Sequence, residues 1–313
     1  MEERGFAKGC RVCRDADVEQ FCTAVDRVVA RPGETWAIMR CRSCGFGWTS
    51  PTLDESRIAA YYPPFYLGDT ETAIAEFHSG KLTRSRSWRK ETEKVRLVEK
   101  YAAGGRLLDV GCGDGRFLWA LDSRRWERIG IELSAQLVAL VRSRMPAISL
   151  QAGDLHSDEL AEGAFDVVTM WHALEHMPDP QRALRRAAAL LGPGGVLFVS
   201  LPNLDSLQAQ LFRRFWYGFD DVPRHLHHFG RRSLGLLLRD SGLKVQKQLM
   251  FSRVVNFHSL KHSLLHWSEE VCGGRTAYYV LKPALFAFPI IERLTGRYGI
   301  LTTIAQKAPG LDH

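Results

Sequence analysis

Between Arg106 and Leu201 the chain repeats one pattern, a short apolar run followed by a turn and a helical stretch. The runs are RLLDVG (106–111), RIGIEL (128–133), ISLQAGD (148–154), FDVVTMW (165–171) and GVLFVSL (195–201), with helices expected from Arg116, Ser134 and Asp179. Continuous apolar runs of this length are strands buried on both faces, and helical spacers make such strands parallel. The chain is therefore expected to be an α/β protein with a doubly wound, Rossmann-like sheet, placed over residues 104–313. Two stretches interrupt the pattern as insertions, at about 203–232 and 251–296.

Ahead of this region the sequence reads Cys10-x2-Cys13, then 27 residues, then Cys41-x2-Cys44. Each short knuckle points two thiolates at one ion while its backbone N–H groups soften their charge, which is the requirement of a tetrahedral zinc site. With VVARP (28–32) and TWAIMR (35–40) as strand-like pieces between the knuckles, residues 1–52 are expected to form a zinc ribbon. The alternative is four unrelated reduced cysteines. A four-thiolate site is coordinatively closed, so it stabilises the lobe or binds a partner and performs no chemistry. Seven cysteines, an odd number, and a first segment MEERGFAKGC without an apolar core favour a reducing compartment, the cytoplasm, over secretion.

Residues 53–103 read as a helical connector. Asp54 should cap a short helix ESRIAAYY that stops at Pro63-Pro64, and a second helix is expected over 81–103, with Trp88, Val95, Val98 and Tyr101 inward. Its other faces carry Lys81, Arg84, Arg86, Arg89, Lys90, Lys94, Arg96 and Lys100. Such a run is either a solvated face or an anion-steering surface, and 42 Lys+Arg against 35 Asp+Glu, a formal +7, favours anionic partners in general.

The first strand of the repeating region ends in Asp109-Val-Gly111-Cys112-Gly113-Asp114-Gly115. Glycines here let the backbone approach a ligand closely at the carboxyl end of a central strand. A dinucleotide loop needs a small residue where Arg116 stands, so the spacing disfavours NAD. The second strand ends in Glu132, 21 residues beyond Gly111, where a carboxylate can accept both hydrogen bonds of a ribose diol. The third leads into Gly153-Asp154-Leu155, where an acid can take an exocyclic amine.

In this order, LLDVGCGDGRFL, GIEL, GDL, FDVVTMWHALEHMPDP and LGPGGVLFVSLPN resemble the class I S-adenosylmethionine-dependent methyltransferases over roughly residues 104–307. The resemblance implies a seven-stranded sheet whose last, antiparallel strand is YGILTTIAQKA (298–308), and cofactor contacts from Asp109, Gly111, Gly113, Gly115, Glu132, Asp154 and Leu155. CRSCGFGWTSP, YYPPFY and DVPRHLHHFG resemble, more narrowly, bacterial sugar and secondary-metabolite methyltransferases with an N-terminal zinc lobe. Sugar C-methyltransferases of that group look similar at His225 but usually carry Tyr three residues earlier, where this chain has Val222.

Methyl transfer to a hydroxyl needs a base beside the cofactor's sulfur. Two segments offer one. In WHALEH, His176 is expected to line the pocket and Glu175 to cap or pack, while an E-x-x-E-H metal site like that of ubiquinone-type O-methyltransferases would place His172 where the first Glu stands. In the first insertion His225 is the candidate general base, or else a structural histidine bonded to backbone; Arg224 holds an anionic group or forms a salt bridge; His227 and His228 are weaker candidates. In the second insertion His258, His262 and His266 flank an apolar stripe of Phe257, Leu260, Leu264 and Trp267, and the whole can be core, lid, dimer face or membrane-surface contact.

The function expected is methylation, at oxygen, of a small sugar-containing, anionic or lipid-linked acceptor. An RNA methyltransferase using its zinc lobe to bind RNA and a non-catalytic zinc-ribbon interaction protein are the alternatives. The chain lacks a D/N-P-P-Y motif and a Pro-Cys pair after the fourth strand, which counts against RNA, and the intact glycine loop with Glu132 counts against a silent scaffold. Replacing Glu132 with Ala should cost the diol's charge-assisted hydrogen bonds about 1.5–3 kcal/mol. Calorimetry should then find S-adenosylmethionine bound at least about tenfold more weakly; unchanged affinity would remove the cofactor assignment.

Overall fold

The computed structural model describes residues 9–29, 31–62, 70–250 and 252–308. Its first elements are β1 (Val18–Ala24) and β2 (Trp36–Cys41), an antiparallel hairpin, and β3 (Gly47–Ser50), which pairs with β2. TWAIMR is a strand as expected, but its partner is VEQFCTA and not VVARP. The reason is local: Asp26 Oδ1 accepts the N–H groups of both Val28 and Val29, at 2.9 and 2.8 Å, and so holds in a turn the donors that a ladder would need.

The connector contains α1 (Glu55–Ala59), α2 (Thr70–His78) and α3 (Arg86–Val98). Asp54 caps α1 through the Arg57 N–H, as expected. The helix placed over 81–103 is instead a 3-10 turn at Leu82–Arg84 and then α3, because Ser85 leaves the helical conformation to cap Trp88 N–H. Trp88 and Val98 are buried, while Tyr101 lies past the helix end and is exposed. Pro63 to Tyr66, the centre of the aromatic motif, lie outside the described residues.

The main sheet follows in chain order: β4 (Gly105–Val110), α4 (Arg116–Ala120), β5 (Trp126–Glu132), α5 (Ala135–Arg144), β6 (Ser149–Ala152), β7 (Phe165–Trp171), α6 (Pro180–Leu190) and β8 (Leu191–Pro202). After α7 (Leu207–Phe212) come β9 (His227–His228), α8 (Arg231–Arg239), β10 (Leu243–Leu249), α9 (Arg253–Cys272), α10 (Thr276–Leu281), α11 (Phe288–Thr295) and β11 (Ile300–Lys307). Seven strands lie in the order β10-β11-β8-β7-β4-β5-β6, and β11 alone runs against its neighbours. The five apolar runs are five adjacent strands, and the antiparallel strand is where it was expected. The chain winds from β4 outward through β5 and β6, then returns to the other side of β4 with β7. That reversal opens a crevice at the carboxyl ends of β4 and β7, where an open α/β sheet takes its ligand.

β9 does not join the main sheet. It pairs with β3, Gly47 opposite His228 and Trp48 opposite His227, and completes a four-stranded sheet β1-β2-β3-β9. Cys10, Cys41, Cys44 and Phe46 of the lobe share one buried cluster with Val110, Val168, Leu174 and Phe229. The cysteine lobe is thus packed on the crevice end of the sheet.

The second insertion is held by a polar brace. Glu292 of α11, fully buried, accepts from Gln208 Nε2 (2.9 Å), Asn256 Nδ2 (2.6 Å) and Gly299 N–H (3.2 Å), which ties α11 to α7, α9 and the start of β11. Burial pushes the Glu292 carboxyl up, against the pull of these three donors. On α9 the buried face is Asn256, Ser259, Leu260, Ser263, Leu264 and Ser268, so small polar residues carry much of the packing assigned to the apolar stripe. Among the described residues no helix is long and apolar enough to cross a membrane.

Candidate active site and cysteine lobe

Between β4 and α4, Gly111, Gly113 and Gly115 all have positive φ, at 67°, 56° and 77°. A Cβ on Gly111 would stand 3.0 Å from Ala173 Cβ, so the loop lies against the segment after β7. A Cβ on Gly113 would meet nothing within 4 Å, which leaves open space on the crevice side for a ligand to approach the backbone. Glu132, at the end of β5, accepts Gly113 N–H at Oε2 and Ser134 N–H at Oε1, both at 3.1 Å. Each carboxylate oxygen keeps a second lone pair, so a ribose diol can bind without breaking either bond. These residues fit a nucleoside.

The other expected contacts sit differently. Asp109 is buried, and burial pushes its carboxyl up to about 7 against the Thr169 hydroxyl that donates to it at 2.6 Å. It ties β4 to β7 beneath the loop. Asp154 is exposed at the carboxyl end of β6 and caps its own turn through His156 N–H (2.8 Å). The Leu155 side chain packs in the core, so only its main chain is left for a ligand.

The end of β7 supplies the second half of the site. His172 takes φ +57° and places Nδ1 3.3 Å from Glu175 Oε1. Glu175 is buried; its Oε1 faces His172 Nδ1, and its Oε2 meets no hydrogen-bond partner among the described residues. Burial pushes its carboxyl up, but His172, His225 and His176 together hold it below the ordinary value. The Glu175, His176 and His225 ligand atoms all lie within 4.8 Å of one another. It is His225, and not His172, that completes this group.

His225 is buried, and its Nδ1 lies 3.0 Å from the Gly218 carbonyl. A carbonyl only accepts, so Nδ1 carries a proton in this bond and Nε2 is the nitrogen that it leaves unused. Nε2 lies 3.9 Å from Asp221 Oδ2, and the ring meets His176 edge-on at 4.7 Å. Asp221 stays below the ordinary carboxylate range because His225 and Arg224 outweigh its burial. Burial and the neighbouring His225 pull His176 down to about 4, so it is neutral at physiological pH; its Nδ1 lies 3.1 Å from both Tyr62 Oη and the Arg224 carbonyl.

Arg224 is not an anion receptor. Its guanidinium, fully buried, makes a two-pronged pair with Asp26 at 2.8 and 2.9 Å and a second pair with Asp221 at 2.9 Å. His227 Nε2–H donates to the Pro178 carbonyl (3.2 Å) and the ring stacks on Phe46, while His228 meets Thr49 Oγ1 at 3.0 Å. Both are structural. On α9 the His258 and His262 rings lie 4.1 Å apart but His266 turns to Asp220 at 3.3 Å, so the three do not converge on one ion.

Sequence reading missed Asp26, Thr49, Asp221, Glu91 and Lys94. Thr49 donates its hydroxyl to the His225 carbonyl (2.6 Å) and its N–H to the Leu226 carbonyl (3.0 Å), and Leu226 N–H in turn donates to the main-chain carbonyl of Glu175 (2.9 Å). Glu91 and Lys94 of α3 form a 2.9 Å pair, with Lys94 5.3 Å over the Trp171 ring, although the basic run around them reads as solvated. Asp26 and Thr49 lie far from Arg224 and His225 in the chain and leave no local spacing signal, whereas Glu91–Lys94 and Asp221–Arg224 are pairs three residues apart.

In the lobe, Cys10 Sγ and Cys44 Sγ are 3.5 Å apart, as are Cys13 and Cys41, and all four sulfurs lie within 4.8 Å. A tetrahedral zinc ion with bonds of about 2.3 Å has sulfur–sulfur edges of about 3.8 Å, so the four thiols fit it closely. No disulfide is formed among them.

The reversing parallel sheet, the glycine loop and the acid at the end of β5 define a class I S-adenosylmethionine-dependent methyltransferase. Residues 82–248, more than half of the chain, match the family model described as "Methyltransferase domain", and the protein belongs to that family. A relative in Pseudomonas paraeruginosa named ubiquinone biosynthesis O-methyltransferase is 31% identical over 195 residues, which cover 55% of this chain and 84% of the relative. The enzyme of the same name in Chromobacterium violaceum is 31% identical over 166 residues, covering 49% and 71%. A Thermotoga maritima structure described as a possible histamine N-methyltransferase has a TM-score of 0.44 at 19% identity, covering 76% of this chain and 97% of its own.

Because the lobe grips the His225 segment through Thr49 and Asp26, losing its metal should reach the chemistry. Protein purified without chelator should contain one zinc per chain. Removing the metal with a thiol-reactive mercurial and a chelator should then lower turnover about tenfold or more while S-adenosylmethionine affinity stays within about threefold. Metal-free protein as purified, or full turnover after stripping, would contradict this.

Proposed function

We propose that the protein methylates an oxygen of a small hydroxyl-bearing acceptor, a sugar or a lipid-linked precursor, with His225 Nε2 as the base. The observation that carries this reading is the bond from His225 Nδ1–H to the Gly218 carbonyl, which leaves a bare Nε2 beside the Asp221 carboxylate. S-adenosylmethionine supplies the methyl group and keeps the electron pair of the broken carbon–sulfur bond. His225 takes the acceptor's proton, and Asp221 stabilises the imidazolium that results. Neutral His176 lines the same space and stays out of the proton transfer. Relatives named O-methyltransferases support oxygen as the target, as does Val222 in place of the tyrosine common in sugar C-methyltransferases.

One observation favours a second reading. Glu175 is a buried carboxylate whose Oε2 has no hydrogen-bond partner among the described residues, and with His176 and His225 it offers three ligand atoms to a divalent cation. Such an ion would lower the acceptor hydroxyl's pKa, and Glu175 would be indispensable.

His225→Ala, with the acceptor in hand, should lower turnover by roughly 10²- to 10⁴-fold and leave cofactor affinity within about threefold, while His176→Ala should cost less. Turnover should not depend on added Mg²⁺ or Mn²⁺. A saturable requirement for either ion, together with a dead Glu175→Gln, would replace the base mechanism with the metal one.

A further inference from the structure

We propose that the face built by α10, the 3-10 turn after it and α11 docks on the surface of an anionic lipid bilayer. Seven large apolar side chains are exposed there within sixteen residues: Tyr279, Val280, Leu281, Phe286, Ile290, Ile291 and Leu294. Val280 and Phe286 are about 70% exposed and Leu294 is 83% exposed. Single exposed apolar residues are ordinary, but seven within one sixteen-residue helical segment mark an interaction surface.

The hairpin is turned inside out relative to a solvated one. Its acid, Glu292, points inward to Gln208 and Asn256, and on the same helix Ile290, Ile291 and Leu294 point outward. Tyr278 and Leu285 anchor the hairpin to Leu260 and Leu264 of α9, so the outward residues are held in place and not merely unfolded. This orientation is built into the fold.

Charge selects the occupant. Over residues 271–299 the charged residues are Arg275, Lys282, Glu292, Arg293 and Arg297, and Glu292 is buried. Arg275 pairs with Glu269, whereas Lys282 and Arg293 are exposed within the apolar face, which therefore presents cations and no carboxylate of its own. A second copy of the chain docked by the same face would press these cations together. A bilayer containing acidic lipid takes the apolar side chains below its headgroups and meets Lys282 and Arg293 with phosphate. With α10 and α11 of 6 and 8 residues, the hairpin is too short to span and lies in the interface plane.

The test is flotation of the full chain with vesicles of phosphatidylcholine alone or with about a third phosphatidylglycerol. The protein should float with the acidic vesicles and detach as salt rises. Phe286→Asp with Leu294→Asp should cut binding about tenfold or more, and Lys282→Glu with Arg293→Glu should cut it on acidic vesicles alone, both with unchanged S-adenosylmethionine affinity as the check on folding. Equal flotation of the variants would overturn the proposal. So would a parent that ignores vesicles and runs as a dimer in light scattering, with the Phe286→Asp, Leu294→Asp protein monomeric, since the face would then belong to a second copy.

Discussion

The two-pronged ion pair between Arg224 and Asp26 joins the cysteine lobe to the segment that carries His225. A guanidinium fully removed from water is tolerable only when its charge and donors are met, and here Asp26, Asp221 and the Tyr61 carbonyl meet them. Asp26 is simultaneously the acceptor that turns the chain at Val28 and Val29. One carboxylate thus sets the shape of the lobe's loop and the position of the residue next to His225. Thr49 adds a second grip on the His225 carbonyl, and β3 pairing with β9 adds a third.

This arrangement divides the work of the enzyme. The glycine loop and Glu132, the proposed cofactor contacts, sit on the main sheet and are held by Gly113 N–H and Ser134 N–H, bonds in which the lobe takes no part. The proposed base lies on an insertion that has almost no ladder of its own and is held by the lobe. A four-thiolate site that can perform no reaction then has a reason to lie beside a crevice: it is a brace. The carboxylate of Glu292 plays a comparable part at the other end, where it fixes a helical hairpin whose apolar side faces outward.

Much of the fold is legible in the sequence because strands buried on both faces and capped helices are local patterns. β4 to β8 fall where the apolar runs put them, β11 falls where the family resemblance put the last strand, and Asp54, Ser134 and Asp179 cap the helices they precede. The errors have local causes too: VVARP has strand composition, but Asp26 spends its donors, and Ser85 splits a helix that looks continuous. The site was legible in part. The cysteines, the glycine loop and Glu132 stand at diagnostic spacings, whereas Asp26 and Thr49, which hold Arg224 and the His225 carbonyl, come from more than 170 residues away, and no periodicity announces them.

Hydrogen exchange, followed by mass spectrometry with and without the lobe's metal, tests the brace most directly. If the lobe holds the base, stripping the metal should speed exchange over residues 218–229 together with residues 10–50, while residues 105–132 keep their protection. Residues 218–229 remaining as protected in the stripped protein as in the loaded one would contradict it.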